Sequence, residues 1–333
     1  RIMHLKFSIV FVISFLLSLA SCRNSPDKQQ LHLTSLNDSI KKVFAPDKRV
    51  AIYNINISTQ ADQIIINGET DQEKAVATLL EILKNKGNII KNEVTLLPDS
   101  SVGDKKYALV NNSVANIRSI AKHSGELATQ GILGTELKVL KIDGDFYLIQ
   151  TPDGYISWVD HGGVTLMTED QFLVWKTAPK VIFTKTFGYV FGKTDKELEK
   201  ISDIVLGSQL LLVEEQAHYY KVQYPDKREG YLKKSESQPY EVWINEINAS
   251  GPLLELYARD LLGVPYLWGG TSTKGMDCSG FTKTIYLMNG YVIPRDASQQ
   301  INAGNDIDPE LTFSELEKGD LMFFGRKATD NTR

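Results

Sequence analysis

Hydrophobic and polar positions divide the chain into stretches of different period. Residues Phe7 to Ala20 form a nearly unbroken apolar run, and residues 23–34 after it are mostly polar. From Leu36 to about Asp99 the pattern predicts a helix, alternating strands over Val50 to Ile57 and Gln63 to Gly68, a helix over Gln72 to Lys86, and a strand near Glu93 to Leu97. Thr70 and Glu73 read as a capping box for the second helix, and Gly87 as its C′ residue. Between Tyr107 and Tyr240 the period falls to two, in short β runs separated by the turn signals Asp143-Gly144-Asp145, Pro152-Asp153-Gly154 and Tyr224 to Gly230. Helical spacing returns over Pro252 to Leu262, with Leu253, Leu254, Tyr257, Ala258 and Leu261 on one face. It recurs after Gly269-Gly270, where Phe281, Ile285 and Met288 follow Cys278.

Of the 333 residues, 42% are hydrophobic and 23% charged, which excludes collagen-like, low-complexity and polytopic membrane classes. A formal charge of -4 without a dominant Lys/Arg block gives no electrostatic footprint for nucleic acid, and no nucleic-acid partner is expected. The Phe7 to Ala20 run follows Arg1, His4 and Lys6; it is shorter than the ~20 residues of a spanning helix and has signal-peptide dimensions. It ends in Leu19-Ala20-Ser21-Cys22, which resembles a bacterial lipobox and predicts cleavage before Cys22 and a lipid on that residue. The protein is thus expected to be exported and lipid-anchored to a bacterial membrane, starting at Met3 unless the chain is a fragment. There are two cysteines. With Cys22 lipidated, Cys278 has no disulfide partner, and its role rests on its local sequence.

The β region contains an internal repeat. Val114 to Ser119 with Gly134 to Val159, and then Gly207 to Leu232, resemble bacterial SH3 (SH3b) domains. The first copy keeps Asp153-Gly154-Tyr155-Ile156-Ser157-Trp158-Val159, whereas the second ends in Gly230-Tyr231-Leu232. Tyr219 and Tyr220 read as packing residues of the second copy. The helix, strand and helix pattern before Asp99 is similar to BON-type domains, and no chemistry is assigned to it.

Cys278 falls at a helix start. Asp277 there is placed to cap the helix, and the free N–H groups and positive end of the macrodipole favour a thiolate in the first turn. The N–H groups of Cys278 and Ser279 are candidates to receive the oxyanion of a tetrahedral intermediate. Neither CxxC pairs nor an HExxH motif occur, and no metal or other cofactor is expected.

Four motifs in order resemble the NlpC/P60 cysteine peptidases: Pro265-Tyr266-Leu267-Trp268-Gly269-Gly270, Asp277-Cys278-Ser279-Gly280-Phe281, Pro294-Arg295-Asp296 with Gln299 or Gln300, and Lys318-Gly319-Asp320-Leu321-Met322-Phe323-Phe324. The fold class implied is multi-domain α+β: a small N-terminal α+β module, two SH3-like β barrels, and a C-terminal papain-like domain that is incomplete. The expected map is a lipoprotein signal at 1–21, a tether at 22–34, the α+β module at 35–105, SH3b domains at 106–176 and 177–245, and the NlpC/P60 domain at 246–333. The resemblance implies hydrolysis of peptidoglycan stem peptides by a Cys-His pair, with Cys278 as nucleophile. The family's histidine follows the Gly319-Asp320-Leu321 motif and is expected beyond Arg333. His4, His32, His123, His161 and His218 do not occupy its place, so the 333-residue chain alone is expected to be inactive.

SH3b domains ahead of an NlpC/P60 domain are similar to the γ-D-glutamyl-L-diamino acid peptidases. This implies cleavage before L-Lys or diaminopimelate in muropeptides with a free N-terminal L-Ala, in cell-wall turnover or recycling. Tyr266, Trp268, Asp277, Ser279, Arg295 and Asp296 match substrate-lining positions of the catalytic domain, with Arg295 a partner for the α-carboxylate of γ-D-Glu. Ala297 departs from the Ser or Thr usual in the family, although Ser298 is adjacent. Glu126, Tyr155 and Trp158 are offered from the first SH3b copy. Two alternatives remain open: a non-catalytic wall-binding lipoprotein, and a cell-wall amidase or acyltransferase of the same fold. The expected partners are stem peptides or muropeptides and the membrane through Cys22, with the protein a monomer.

Overall fold

The computed structural model describes residues 26–61, 63–193, 199–247, 250–307 and 312–325. The signal segment and the lipidation position Cys22 lie outside the described residues. The chain forms two compact units, one of residues up to Pro46 with Tyr53–Thr95, the other of Asp47–Ile52 with the chain from Leu96.

The first unit joins helix α1 (Pro26–Phe44), strands β1 (Tyr53–Gln60) and β2 (Gln63–Thr70), helix α2 (Glu73–Asn85) and strand β3 (Ile89–Leu96) in a sheet of order β1-β2-β3. Two expectations are corrected. Residues 26–34, read as tether, are the first turns of α1. Leu33, Leu36 and Ile40 recur at helical spacing and Leu33 and Ile40 are buried, while Gln30 and Asn37 donate to the Ile57 and Ile55 carbonyls of β1. The overall polarity of the segment hides that stripe. Helix α2 also starts later than a Thr70 cap requires: Gln72 is its N-cap, and the buried Thr70 closes β2 while its Oγ1 accepts the Gln72 N–H at 3.0 Å. Gly87, at φ +75°, takes the C′ role foreseen for it.

The second unit begins with β4 (Tyr107–Val110), β5 (Val114–Arg118), β6 (Leu127–Ile132), β7 (Glu136–Asp143), β8 (Phe146–Gln150), β9 (Ile156–Asp160) and β10 (Val164–Met167). Helix α3 (Glu169–Thr177), opened by a Thr168–Gln171 capping box, leads to β11 (Lys180–Phe183), β12 (Phe187–Phe191), β13 (Lys200–Val205), β14 (Gln209–Glu215), β15 (Tyr219–Gln223), β16 (Glu229–Lys233) and β17 (Ser237–Pro239). The first sheet runs β10-β4-β7-β8-β9-β5-β6 and the second, read from its β17 end, β17-β11-β14-β15-β16-β12-β13. Strand for strand the order is the same, which is the structural form of the internal repeat. Alternating residues fill each interior: Ile117, Val139, Ile149 and Val159 in one, and Val190, Leu210, Tyr220, Val222 and Leu232 in the other.

The remainder is helical around a short hairpin: α4 (Tyr240–Glu246), α5 (Gly251–Asp260), β18 (Thr271–Ser272), β19 (Gly275–Met276), α6 (Cys278–Leu287) and α7 (Ala297–Gln300). Ile285 and Met288 of the α6 region bury against Trp243, Leu261 and Met276, against Ile182 of β11 and against Leu206 just after β13. Each such side chain contributes about 1.5–3 kcal/mol of burial, so α6 is held by its apolar face. No strand follows α6 among the described residues, and Met322 and Phe324 are exposed. The hairpin is pinned by polar contacts. Gln130 of β6 exchanges hydrogen bonds with Thr271 and receives the Ser272 hydroxyl, while Lys274 pairs with Asp203 of β13 at 2.7 Å. Gly269, at φ +82°, is required at this junction, because a Cβ there would lie 2.1 Å from the Leu127 carbonyl oxygen.

Candidate active site

Cys278 opens α6 and is exposed, between buried Asp277 and Ser279. Asp277 has extended backbone and caps the helix, its Oδ1 accepting the Gly280 N–H at 2.8 Å. The Phe281 N–H goes to the Asp277 carbonyl at 2.9 Å, which leaves the N–H groups of Cys278 and Ser279 as the first-turn donors without a protein acceptor among the described residues. Gly280 permits this geometry, since a Cβ there would meet the Gly270 carbonyl oxygen at 2.1 Å.

Beneath the cysteine is a buried ionic cluster. Arg295, 2% exposed, donates from Nη2 to Asp277 Oδ2 at 2.7 Å and from Nη1 to Asp277 Oδ1 at 3.2 Å and Ser279 Oγ at 2.9 Å. Gly269 N–H completes the Asp277 shell at 3.0 Å, and Gln300 donates to the Ser279 and Pro294 carbonyls. Burial works to raise the Asp277 pKa, but hydrogen bonds from Arg295, Gly280 and Gly269 and the Arg295 charge outweigh it and hold the carboxyl below its ordinary value. The expectation that Arg295 meets a substrate carboxylate is therefore corrected. A guanidinium this buried needs a counter-charge, and Asp277 supplies it. Asp277 and Ser279, expected to line substrate, form with Arg295 a platform on which Cys278 stands.

Exposed aromatic and acidic groups border this platform. Tyr266 and Trp268 are 66% and 65% exposed, and Trp268 Nε1 donates to Glu126 Oε1 at 2.8 Å. The Tyr266 phenol is shifted up by desolvation and by its electrostatic interaction with Cys278 and Asp277, against the pull of Arg295. Tyr155 is half-buried; burial, with Asp296 and Asp47 nearby, pushes its pKa up to about 12 against the opposing pull of Arg295 and Arg49. Asp296, expected at substrate, receives Arg49 Nη1 at 2.8 Å and caps α7 with Gln299, its carboxylate staying part-exposed. Trp158 is partly buried. Its β9 register sets it opposite Leu148, and it packs with Leu97, Leu140 and Leu148 on the outer face of the first sheet.

Arg49, Asp47 and Lys283, which pairs with Asp153 at 3.0 Å, were missed by the sequence reading, since no period or motif marks them; Asp153 and Gln300 stood within quoted motifs. The described histidines lie elsewhere: His32 contacts Lys86, His123 and His161 surround Asp160, and His218 lies in the β14–β15 turn. None of them stands beside Cys278, and residues 326–333 are outside the described residues. Among the described residues, no group of three or more His, Cys, Asp or Glu is arranged to hold a metal ion.

Residues 263–332 match the NlpC/P60 family, and residues 117–163 match the bacterial dipeptidyl-peptidase Sh3 domain. The chain carries an NlpC/P60 domain behind a bacterial SH3 domain, within a mixed α/β fold of several antiparallel sheets. It is 32% identical over 210 residues to a gamma-D-glutamyl-L-lysine dipeptidyl-peptidase of Bacillus cereus, covering 61% of each chain. With the protein of the same name from Bacillus subtilis it shares 26% identity over 211 residues, 60% of this chain and 64% of that one. The chain thus spans less than two thirds of the length of these relatives. A crystal structure of an NlpC/P60 family protein from Bacillus cereus superposes with a TM-score of 0.55 at 24% identity, covering 64% of this chain and 80% of that one, and shares the fold.

Proposed function

We propose that the full-length protein is a cysteine peptidase that hydrolyses the γ-D-glutamyl-L-diamino acid bond of peptidoglycan stem peptides with a free N-terminal L-Ala. The observation that carries this reading is the exposed Cys278 at the start of α6, standing on the Asp277–Arg295–Ser279 platform beside the Glu126–Trp268 pair. The names of the two Bacillus relatives support it. On this reading Cys278 Sγ attacks the γ-glutamyl carbonyl, and the N–H groups of Cys278 and Ser279 receive the developing oxyanion. A base, taken to be a histidine of the full-length protein, accepts the thiol proton and returns it to the departing diamino-acid amine. Water then releases the acyl group and regenerates the thiol. Glu126, Tyr155 and Tyr266 at the rim form an acidic and phenolic setting for an ammonium, which an acylated amine would leave without partners.

The test is hydrolysis of L-Ala-γ-D-Glu-L-Lys and its N-acetyl form by the full-length protein and by Cys278→Ala. Cleavage of the free-amine peptide alone, lost in the variant, is the expected result. Saturable binding without turnover would instead leave a wall-binding module. We further propose export and lipidation at Cys22, on the strength of Leu19-Ala20-Ser21-Cys22. Cys22→Ser should then move the protein from the membrane fraction to the soluble fraction.

A further inference from the structure

Residues Asp47–Ile52 connect α1 to β1 in the chain, yet they belong to the second unit. They run beside the start of β9: the Ile156 N–H donates to the Arg49 carbonyl at 2.7 Å, and Ile52 packs with Leu97, Leu148 and Ile156. The residue before Ile156 is Tyr155, so this segment fixes the turn that carries the phenol. The Arg49 side chain reaches in a second direction. Its Nη1 donates to Asp296 Oδ2 at 2.8 Å and Ser298 Oγ at 2.9 Å, while Nε and Nη2 grip Asp47 at 2.8 and 2.7 Å. Asp47 Oδ2 in turn accepts Gln299 Nε2 at 2.8 Å. Asp296 follows Arg295, the cation that holds Asp277 and Ser279 around Cys278. One residue therefore joins the neighbour of Tyr155 to the neighbour of Arg295. The side-chain arm of the linkage is charge-assisted: the Arg49 side-chain hydrogen bond and charge pull the Asp47 carboxyl down to about 2 against the cost of its burial. Residues 47–52 lie outside both matched ranges, 117–163 and 263–332.

We propose that Arg49 is a positioning residue for the free amino end of the substrate. By tying the Tyr155 turn to Asp296, this strap sets the spacing between the phenol and the Cys278 platform, and with it the preference for an unacylated peptide. The inference rests on the peptidase reading above. An ammonium is recognised only when its partners stand at a fixed separation, and a 1 Å misplacement can cost on the order of 100-fold. Arg49→Met removes the fork and leaves the Asp47 and Asp296 carboxylates facing each other near Tyr155. Arg49→Lys restores a positive charge without the bidentate geometry.

The experiment compares wild type, Arg49→Met and Arg49→Lys in the full-length protein. It measures kcat and KM for L-Ala-γ-D-Glu-L-Lys and its N-acetyl form, calorimetric binding of both peptides in the Cys278→Ala background, and Tm. Arg49→Met is expected to raise KM and Kd for the free-amine peptide about tenfold. Its kcat for the free-amine peptide should stay within about twofold and its residual binding of the acetylated peptide should not change, with Arg49→Lys intermediate. An unchanged ratio between the two peptides in Arg49→Met, whatever its Tm, overturns the inference, as does an equal loss for both. Wild type that neither cleaves nor binds either peptide overturns the peptidase reading and this inference with it.

Discussion

Replacing Asp277 by alanine strips the first turn of α6 of its cap and takes from the Arg295 guanidinium, 2% exposed, its hydrogen-bonded counter-charge, leaving only the longer 3.8 Å pairing with Asp296. Loss of an N-cap costs about 1 kcal/mol, and breaking a buried ion pair from one side about 3–5 kcal/mol. The same carboxylate supplies both, which gives about 4–6 kcal/mol for Asp277→Ala and about 3–5 kcal/mol for Asp277→Asn, where the amide still caps. For a cooperative unit of about 150–250 residues this lowers Tm by roughly 10–20 °C for the alanine variant. Circular dichroism melts of the full-length protein read the shift, and a cycle with Arg295→Met separates the pair from the cap. The double variant Asp277→Asn with Arg295→Met should be more stable than the sum of the single losses, because neither partner is left charged and alone. The pH dependence has a definite sign. Asp277 has a folded pKa below its unfolded value of about 3.9, so its contribution is fully present above that pH and is lost as pH falls through the folded value. The gap in Tm between wild type and Asp277→Asn should be constant from pH 7 to 5 and close below about pH 4. A Tm loss under about 3 °C in Asp277→Ala, or strict additivity in the cycle, would refute the buried-pair reasoning.

Lys283→Met removes the ammonium 3.0 Å from Asp153, whose side chain is 4% exposed. The expected loss is about 3–5 kcal/mol by urea unfolding, partly recovered by adding Asp153→Asn. Gly280→Ala forces a Cβ against the Gly270 carbonyl oxygen and should destabilise by at least about 1–3 kcal/mol, whereas Gly304→Ala, with open space around it, should fall within about 0.5 kcal/mol of wild type. Trp268→Phe keeps an aromatic ring but loses the N–H to Glu126; KM for the free-amine peptide should rise about fivefold, equivalent to ~1 kcal/mol, with kcat little changed. Asp47, with its pKa lowered to about 2, should contribute stability above about pH 4 that disappears toward pH 2. Titrating the Tm difference between wild type and Asp47→Asn over that window measures it.

Local chemistry in the sequence determined a good part of this protein. A turn, an Asp cap and an apolar stripe of period 3.6 place Cys278 at the head of α6, and those signals are all local, running from Gly269 to Met288. Alternation and turn residues likewise marked the repeated sheets, whose common strand order follows from the same hairpin sequence used twice. Tertiary structure decided the partners. Glu126 meets Trp268 across 142 positions and Arg49 meets Asp296 across 247, separations that no period encodes. Arg295 carries a charge that sequence alone allows to face either substrate or protein; burial settles the direction, because a desolvated guanidinium must close on the nearest carboxylate. Trp158 sits in a strand whose two faces are both covered, so its aromatic character reads the same whether it packs or binds. The polar residues of α1 look like a tether until β1 offers carbonyl acceptors for Gln30 and Asn37. In each case the sequence fixes what a side chain is able to do, and the choice among its possible partners is made by proximity and desolvation in the folded chain.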